Sequence, residues 1–259
     1  MFKDCMAGFY RIGSFLQGGE CLMYRYMPYV FCVVLISCLC LNAEAETLSY
    51  NISWQSIPAG TATLKFVENG DRVQVILNAR SLSVMDAIYP VRTHVESEIL
   101  ASSGLPKRYF KRSKEGWGEE KTGEVVFDRE RLVAEVYKNG RPKRTLAIPP
   151  DVHDPISCLY FYRKLPNLSE GPVHLALTDG KRVSTGVATV LGKETIETPA
   201  GRFQTILVEP KMEGLTGVFQ KSPNARILVW LTDDKRRLPV RLKSEVIVGA
   251  FTAQVTAIE

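Results

Sequence analysis

Thr61-Ala62-Thr63-Leu64-Lys65-Phe66-Val67-Glu68-Asn69-Gly70-Asp71-Arg72-Val73-Gln74-Val75-Ile76-Leu77-Asn78-Ala79 holds two alternating runs joined by an Asn-Gly pair. Ala62, Leu64 and Phe66 take one parity and Thr63 and Lys65 the other; Val73, Val75, Leu77 and Ala79 repeat the pattern. Period two places one set on a core face and the other on a wetter face, and Asn-Gly closes a tight hairpin. Phe251, Ala253, Val255 and Ala257, interleaved with Thr252, Gln254 and Thr256, give the same signal near the other end. Asn139-Gly140 and Asp179-Gly180 mark further hairpins, and Thr198-Pro199-Ala200-Gly201 fits a turn with Pro199 setting φ and Gly201 at its fourth position. About twelve such runs at a spacing of roughly 8–12 residues predict an all-β fold. The sheet is expected to be mainly antiparallel and either strongly curved or closed like a barrel, since long open edges invite aggregation.

One segment departs from this period. Asp154-Pro155-Ile156-Ser157-Cys158-Leu159-Tyr160-Phe161-Tyr162-Arg163-Lys164-Leu165 reads as a short helix near 154–165. Asp154 suits the N-cap, Pro155 the first helical position, and Arg163 and Lys164 the negative end of the helix dipole. Ile156, Leu159, Tyr160 and Arg163 follow helical spacing. A lone helix in a curved sheet is expected to cover an open end or plug the interior. A second short helical piece is expected at Val84–Ile88, before Pro90.

The apolar run Val30–Leu41, preceded by Arg25 and followed by Ala43-Glu44-Ala45, reads as an export segment with a small-x-small cleavage site. It falls short of the ~20 apolar residues that span a bilayer. The expected organisation is an N-terminal extension plus signal peptide over 1–45 and a single β-rich domain over 46–259. Met23 or Met27 would give the signal an ordinary n-region, so either competes with Met1 as the true start. Cys38 offers a second reading, a lipidated cysteine after Leu35-Ile36-Ser37, which would anchor the chain to a membrane. The apolar Leu39, Cys40 and Leu41 that follow it favour cleavage after Ala45 instead. Cleavage leaves Cys158 as the one cysteine, so no internal disulfide staples the domain. The net charge of +5 persists, because the charges within residues 1–45 cancel. That mild excess suits anionic lipid or glycan headgroups, and export argues against a nucleic-acid partner.

Asp154, Ser157, Tyr160 and Arg163 form an Asp-x-x-Ser-x-x-Tyr-x-x-Arg pattern. With Val229-Trp230-Leu231-Thr232-Asp233-Asp234-Lys235-Arg236-Arg237-Leu238-Pro239-Val240 it resembles a family of bacterial exported proteins known as domain of unknown function 3108. The resemblance extends to Tyr50, Trp54, Ala59 and Gly60 and to Thr198–Phe203, covering nearly all of the expected mature chain. It implies a β-rich envelope protein and brings no catalytic mechanism with it. The family's architecture is similar to that of periplasmic lipoprotein carriers, curved half-barrels with an apolar concavity.

His153, Asp154 and Ser157 raise a hydrolase reading, since a serine nucleophile needs a base and the base an orienting carboxylate. Helix capping accounts for Asp154 and Ser157 more simply, with His153 merely the residue before the cap, and no Gly-x-Ser-x-Gly elbow surrounds Ser157. Asp233 and Asp234, with Asp151 or Glu209, could supply oxygens to a divalent cation, but adjacent aspartates between strands more often make turns. His94, His153 and His174 fall in separate elements, so neither zinc nor another cofactor is expected. Lys107, Arg108, Lys111, Arg112 and Lys114 interleave with Tyr109, Phe110 and Trp117; Arg141, Lys143 and Arg144, then Lys235–Arg237, extend the basic set. On one face they would form a patch for lipid phosphates; otherwise they are a solvated strand surface. Trp54, Trp230, Tyr160 and Phe161 suit a core, and Ile227–Leu231 suits a strand covered on both sides.

These readings converge on a non-catalytic protein that binds a hydrophobic or amphipathic envelope molecule, lipid-like, in the concavity of its sheet. Tyr160, Arg163, Trp230, Arg236 and Arg237 are the expected ligand contacts. Asp154, Ser157, Pro199, Gly201, Asp233, Asp234 and Pro239 are the expected structural positions. A scaffold module meeting other envelope proteins through a sheet edge or its basic face is the second reading, and a hydrolase of envelope polymers the third.

Overall fold

The Asn-Gly hairpin around residue 70 is one of a long series. The computed structural model describes residues 44–168, 171–212, 226–246 and 249–259; the expected export segment, Cys38 and the three start methionines lie outside them. Fourteen strands form one sheet: β1 (Glu44–Trp54), β2 (Ile57–Asn69), β3 (Arg72–Ser81), β4 (Val91–Leu100), β5 (Pro106–Glu115), β6 (Lys121–Asp128), β7 (Val133–Lys138), β8 (Arg141–Ala147), β9 (Val173–Thr178), β10 (Val183–Thr198), β11 (Gly201–Met212), β12 (Arg226–Thr232), β13 (Pro239–Val246) and β14 (Gly249–Ile258). The order is β8-β7-β6-β5-β4-β3-β2-β1-β14-β13-β12-β11-β10-β9, and every strand pair is antiparallel. The count exceeds the expected twelve partly because an edge strand such as β8, Arg-Pro-Lys-Arg-Thr-Leu-Ala, shows no apolar alternation and is almost wholly exposed.

The first and last strands are neighbours in the middle of the sheet. Thr47 and Glu259 exchange both backbone hydrogen bonds, at 2.8 and 2.9 Å. The edges are therefore β8 and β9, which are adjacent in sequence and joined by the segment between them. The sheet is curved and open. Its edges draw together without pairing: Arg144 of β8 donates to the Lys181 carbonyl in the β9–β10 turn at 3.1 Å. At Gly180, in that turn, φ is +88° and an added Cβ would lie 2.8 Å from Val125 Cγ2 and 3.0 Å from Val136 Cγ1. A side chain there would push the turn away from β6 and β7.

The expected inward parity holds in β2 and β3; in β14 it holds at Val255, while Phe251 is 38% exposed and a bulge opposite Ser49 and Tyr50 interrupts it before Ala257. Leu48, Leu64, Phe66, Val73, Val75 and Val255 are buried in the largest apolar cluster, and Val95, Tyr109, Val125, Phe127 and Ala134 form a second under β4–β7. A short helix, α1 (Ser83–Asp86), replaces the piece expected at Val84–Ile88. The main helix, α2 (Ser157–Lys164), is shorter than the expected 154–165, because Asp154, Pro155 and Ile156 form its capping turn. Among the described residues no helix is long and apolar enough to cross a membrane.

Candidate functional site

Helix α2 is fixed at both ends by groups the sequence places far apart. At its start, Asp154 Oδ1 accepts the N–H groups of Ile156 (2.7 Å) and Ser157 (2.8 Å), while Ser157 Oγ accepts the Asp154 N–H at 2.9 Å. This reciprocal cap satisfies donors that a helix start leaves unpaired. The other carboxylate oxygen accepts the Ser97 hydroxyl of β4 at 2.6 Å, so the cap also ties the helix to the sheet. Nothing in the sequence around Ser97 marks that partnership. Asp154 is fully buried; desolvation pushes its pKa up to about 6, against the hydrogen bonds from Ser97, Ser157 and Ile156 that pull it down.

His153 is more than the residue before the cap. Its N–H donates to Ala176 O at 2.8 Å and its carbonyl accepts from Thr178 N–H at 2.9 Å, a parallel bridge that covers part of the β9 edge. Its buried ring lies 4.8 Å from the Phe161 ring, and burial together with the nearby Arg129 charge lowers its pKa to about 4, holding it neutral. His153 Nδ1 is 3.4 Å from Ser157 Oγ. The Asp154 carboxylate, however, is spent on the cap and on Ser97, so the base has no orienting carboxylate from that residue. Burial raises the Cys158 thiol to about 12, far from a reactive thiolate.

The helix C-terminus is clasped by the β12–β13 turn. Arg163 donates to the Arg236 carbonyl (3.0 and 2.9 Å) and to Glu46 Oε2 (2.6 Å), and lies over the Phe66 ring at 4.0 Å. Arg237 returns the contact, donating to the carbonyls of Arg163 (3.2 Å), Leu165 and Pro166 (3.1 Å). Glu46 Oε1 also accepts from Arg236 at 3.0 and 2.9 Å. Asp234 shapes the turn by accepting the N–H groups of Arg236 and Arg237, both at 3.0 Å, and Asp233 pairs with Lys193 at 2.7 Å. Among the described residues no cluster of three or more His, Cys, Asp or Glu is placed to hold a metal.

Between these anchors the helix roofs an apolar cavity of about 430 Å³. Pro155, Ile156, Cys158, Leu159 and Tyr162 face it from α2 and its capping turn; Leu64 and Leu77 from the first half of the sheet; Leu177, Val208, Val229 and Leu231 from the second. The volume lies within the range of about 300–1,000 Å³ typical of small-molecule sites. Lys211, itself exposed, is the one charged lining residue among those described. Two tyrosines supply the hydroxyls. Tyr50 donates to Pro239 O at 2.7 Å, whereas the buried Tyr162 hydroxyl has no hydrogen-bond partner among the described residues.

The five expected ligand contacts do not line this cavity. Tyr160 belongs to the main core and reaches Glu68 at 3.4 Å; Arg163, Arg236 and Arg237 form the clasp. Trp230 lies on the face of β12 opposite Val229 and Leu231, where its indole N–H donates to Glu194 at 2.6 Å and Arg241 sits 5.6 Å from its ring. Pro199 and Gly201 bound the β10–β11 turn, where Ala200 N–H donates to Val255 O at 3.2 Å, and Pro239 opens β13. The basic groups do not share one face either. Tyr109 points into the core, Arg108 pairs with Glu124 and Glu98, and Lys235–Arg237 sit at the rim of the clasp, away from Trp117. The true lining is made of ordinary alternating strand residues, which carry no signal separating a hollow interior from a filled one.

Curvature, the open seam and a roofed apolar cavity define an open β-barrel-like protein. The chain belongs to the family described as "Protein of unknown function (DUF3108)", whose model matches residues 49–256. A search of curated proteins gives no significant match. Among solved structures, the chain is similar to a β-barrel-like protein of domain of unknown function DUF1849 from Brucella abortus. Identity is 10%, the TM-score is 0.60, and 85% of this chain and 98% of that one are covered. A Bacteroides fragilis protein with a YmcC-like fold, described as belonging with exported proteins, aligns at 9% identity over 84% of this chain and 97% of its own. Its TM-score of 0.33 is too low to bear on the fold.

Proposed function

We propose that the protein is exported to the periplasm and binds a hydrophobic or amphipathic envelope molecule, lipid-like, in the cavity beneath α2. The observation that carries this reading is the cavity itself, lined almost wholly by apolar side chains and bordered by a helix bolted to the sheet at both ends. The Tyr162 hydroxyl adds a polar group that a ligand with a hydrogen-bond acceptor would satisfy. Export is supported by the run Val30–Leu41 and the Ala43-Glu44-Ala45 site.

The test is native mass spectrometry of protein purified from the envelope fraction, followed by titration of delipidated protein with N-phenyl-1-naphthylamine. A retained lipid mass and saturable dye uptake are expected. Leu175→Glu and Ile227→Glu, both half-buried lining positions, should reduce uptake at least tenfold while far-UV circular dichroism is unchanged. A bare polypeptide that takes up neither dye nor added lipid overturns the reading.

A further inference from the structure

Alternating strand direction sends the β1–β2, β3–β4, β5–β6 and β7–β8 turns to one rim of the sheet, while Glu46, Glu68 and the β12–β13 turn hold α2 at the other. The rim away from the helix carries large apolar side chains in water. Trp117 is 75% exposed, Ile88 70%, Val84 67%, and Ile57 and Tyr89 53% each. Most of them form a continuous surface: Tyr89 lies directly on Gly116, where an added Cβ would come within 2.7 Å of its ring, and Trp117 is the next residue.

Behind this rim, on the outer face of the sheet, cations occupy two adjacent rungs. Arg80, Arg92 and Lys114 are register partners across β3, β4 and β5, and Asn78, His94 and Arg112 fill the next rung. Arg80, Arg92, His94 and Arg112 line a groove of about 480 Å³, together with one carboxylate, Glu120. Arg92 is held by Asp86 of α1, at 2.9 Å from Nη1, but Arg112 and Lys114 make no ion pair among the described residues. Exposed Trp and Tyr beside Lys and Arg is the composition that seats a surface at the headgroup level of a bilayer, apolar rings inward and cations on phosphate.

We infer that this rim is a docking surface for an anionic lipid bilayer. The tips of α1 and the β5–β6 turn enter the interfacial layer, and the arginine groove takes lipid phosphates. Docking stands on the rim alone. That it brings lipid to the cavity rests on the proposed function, and it fits the lining residues Ile52, Ala79, Lys211 and Ile227, which lie near this end of their strands.

The experiment is co-sedimentation of the purified protein with vesicles of phosphatidylethanolamine and phosphatidylglycerol, and with phosphatidylcholine alone. Partition is expected to favour the anionic vesicles and to fall with salt. The Trp emission should shift to the blue, a shift that Trp117→Phe abolishes. Ile88→Asp with Trp117→Asp, and separately Arg112→Glu with Lys114→Glu, should each lower the partition coefficient at least tenfold with unchanged melting temperature. Equal partition of wild type and both variants, or none at all, overturns the inference. So does light scattering that shows a dimer dispersed by Ile88→Asp, since the rim would then meet a second copy. Dye uptake in solution without vesicle binding removes the docking and leaves the cavity; vesicle binding without dye uptake does the reverse.

Discussion

The Glu46 carboxylate and the Arg163 guanidinium meet at 2.6 Å across 117 residues of chain, joining the first strand of the sheet to the last turn of α2. Arg163 is 9% exposed and serves Glu46, the Arg236 carbonyl and the Phe66 ring at once. Removing one partner of a mostly buried pair costs about 3–5 kcal/mol. Arg163→Ala should therefore lower the stability read by urea denaturation by that order. Glu46→Gln, which keeps an acceptor oxygen, should cost about 1 kcal/mol. Equal losses for the two would show that Arg163 acts through its charge pair alone.

Asp154 and His153, neighbours in sequence, are shifted in opposite directions. Burial raises the Asp154 pKa to about 6, so the folded state holds more protons than the unfolded state from about pH 4 to 6, and this contribution to stability falls as pH rises. Burial and the Arg129 charge lower the His153 pKa to about 4, so the folded state holds fewer protons up to about pH 6.5, and this contribution rises with pH. Each is on the order of 3 kcal/mol and they oppose. Wild-type melting temperature should change less across this window than that of either single variant. Asp154→Asn should rise with pH and His153→Gln should fall. The slopes are the readout, since both substitutions also remove hydrogen bonds.

Gly180 sets how closely the two edges of the sheet approach. Its φ of +88° and the 2.8 Å distance from a built Cβ to Val125 leave no room for a side chain. Gly180→Ala should cost about 1–3 kcal/mol. Hydrogen exchange should locate the loss at β6–β7 and β9. A loss spread evenly over the sheet would show that the edges are not coupled there.

Tyr162 carries a buried hydroxyl without a partner among the described residues. An unsatisfied buried polar group costs about 1–3 kcal/mol, so Tyr162→Phe should raise the melting temperature of the ligand-free protein. The same change should weaken binding of a fatty acid or ester more than that of a dye without an oxygen acceptor. Unchanged melting temperature would mean that the hydroxyl is satisfied by solvent.

The sheet was legible because its alternation is local: Ala62, Leu64 and Phe66 declare an inner face whatever lies opposite. Asp154 and Ser157 were equally readable as a cap, since their partners are three residues apart. The clasp was not, because an Arg beside an aromatic on a helix reads as a ligand contact as readily as a helix terminator. Only the tertiary structure brings Arg163, Arg237 and Glu46 together. Ser97 escaped for the same reason, being one inward small residue among many. The cavity is invisible in sequence because Leu177 or Val229 has the same parity whether its neighbour is another side chain or open space.

The pairing of the first strand with the last governs the order in which this chain can fold. In β1–β8 and in β9–β14 each strand pairs with its neighbour in sequence, so both can zip up through short-range steps. The β1–β14 ladder pairs residues from opposite ends of the domain, Leu48 with Ile258 and Ser49 with Ala257, and so closes the longest loop in the sheet. The cavity draws its walls from both halves. Neither half supplies that lining by itself, so the cavity is complete only once the longest-range ladder has closed.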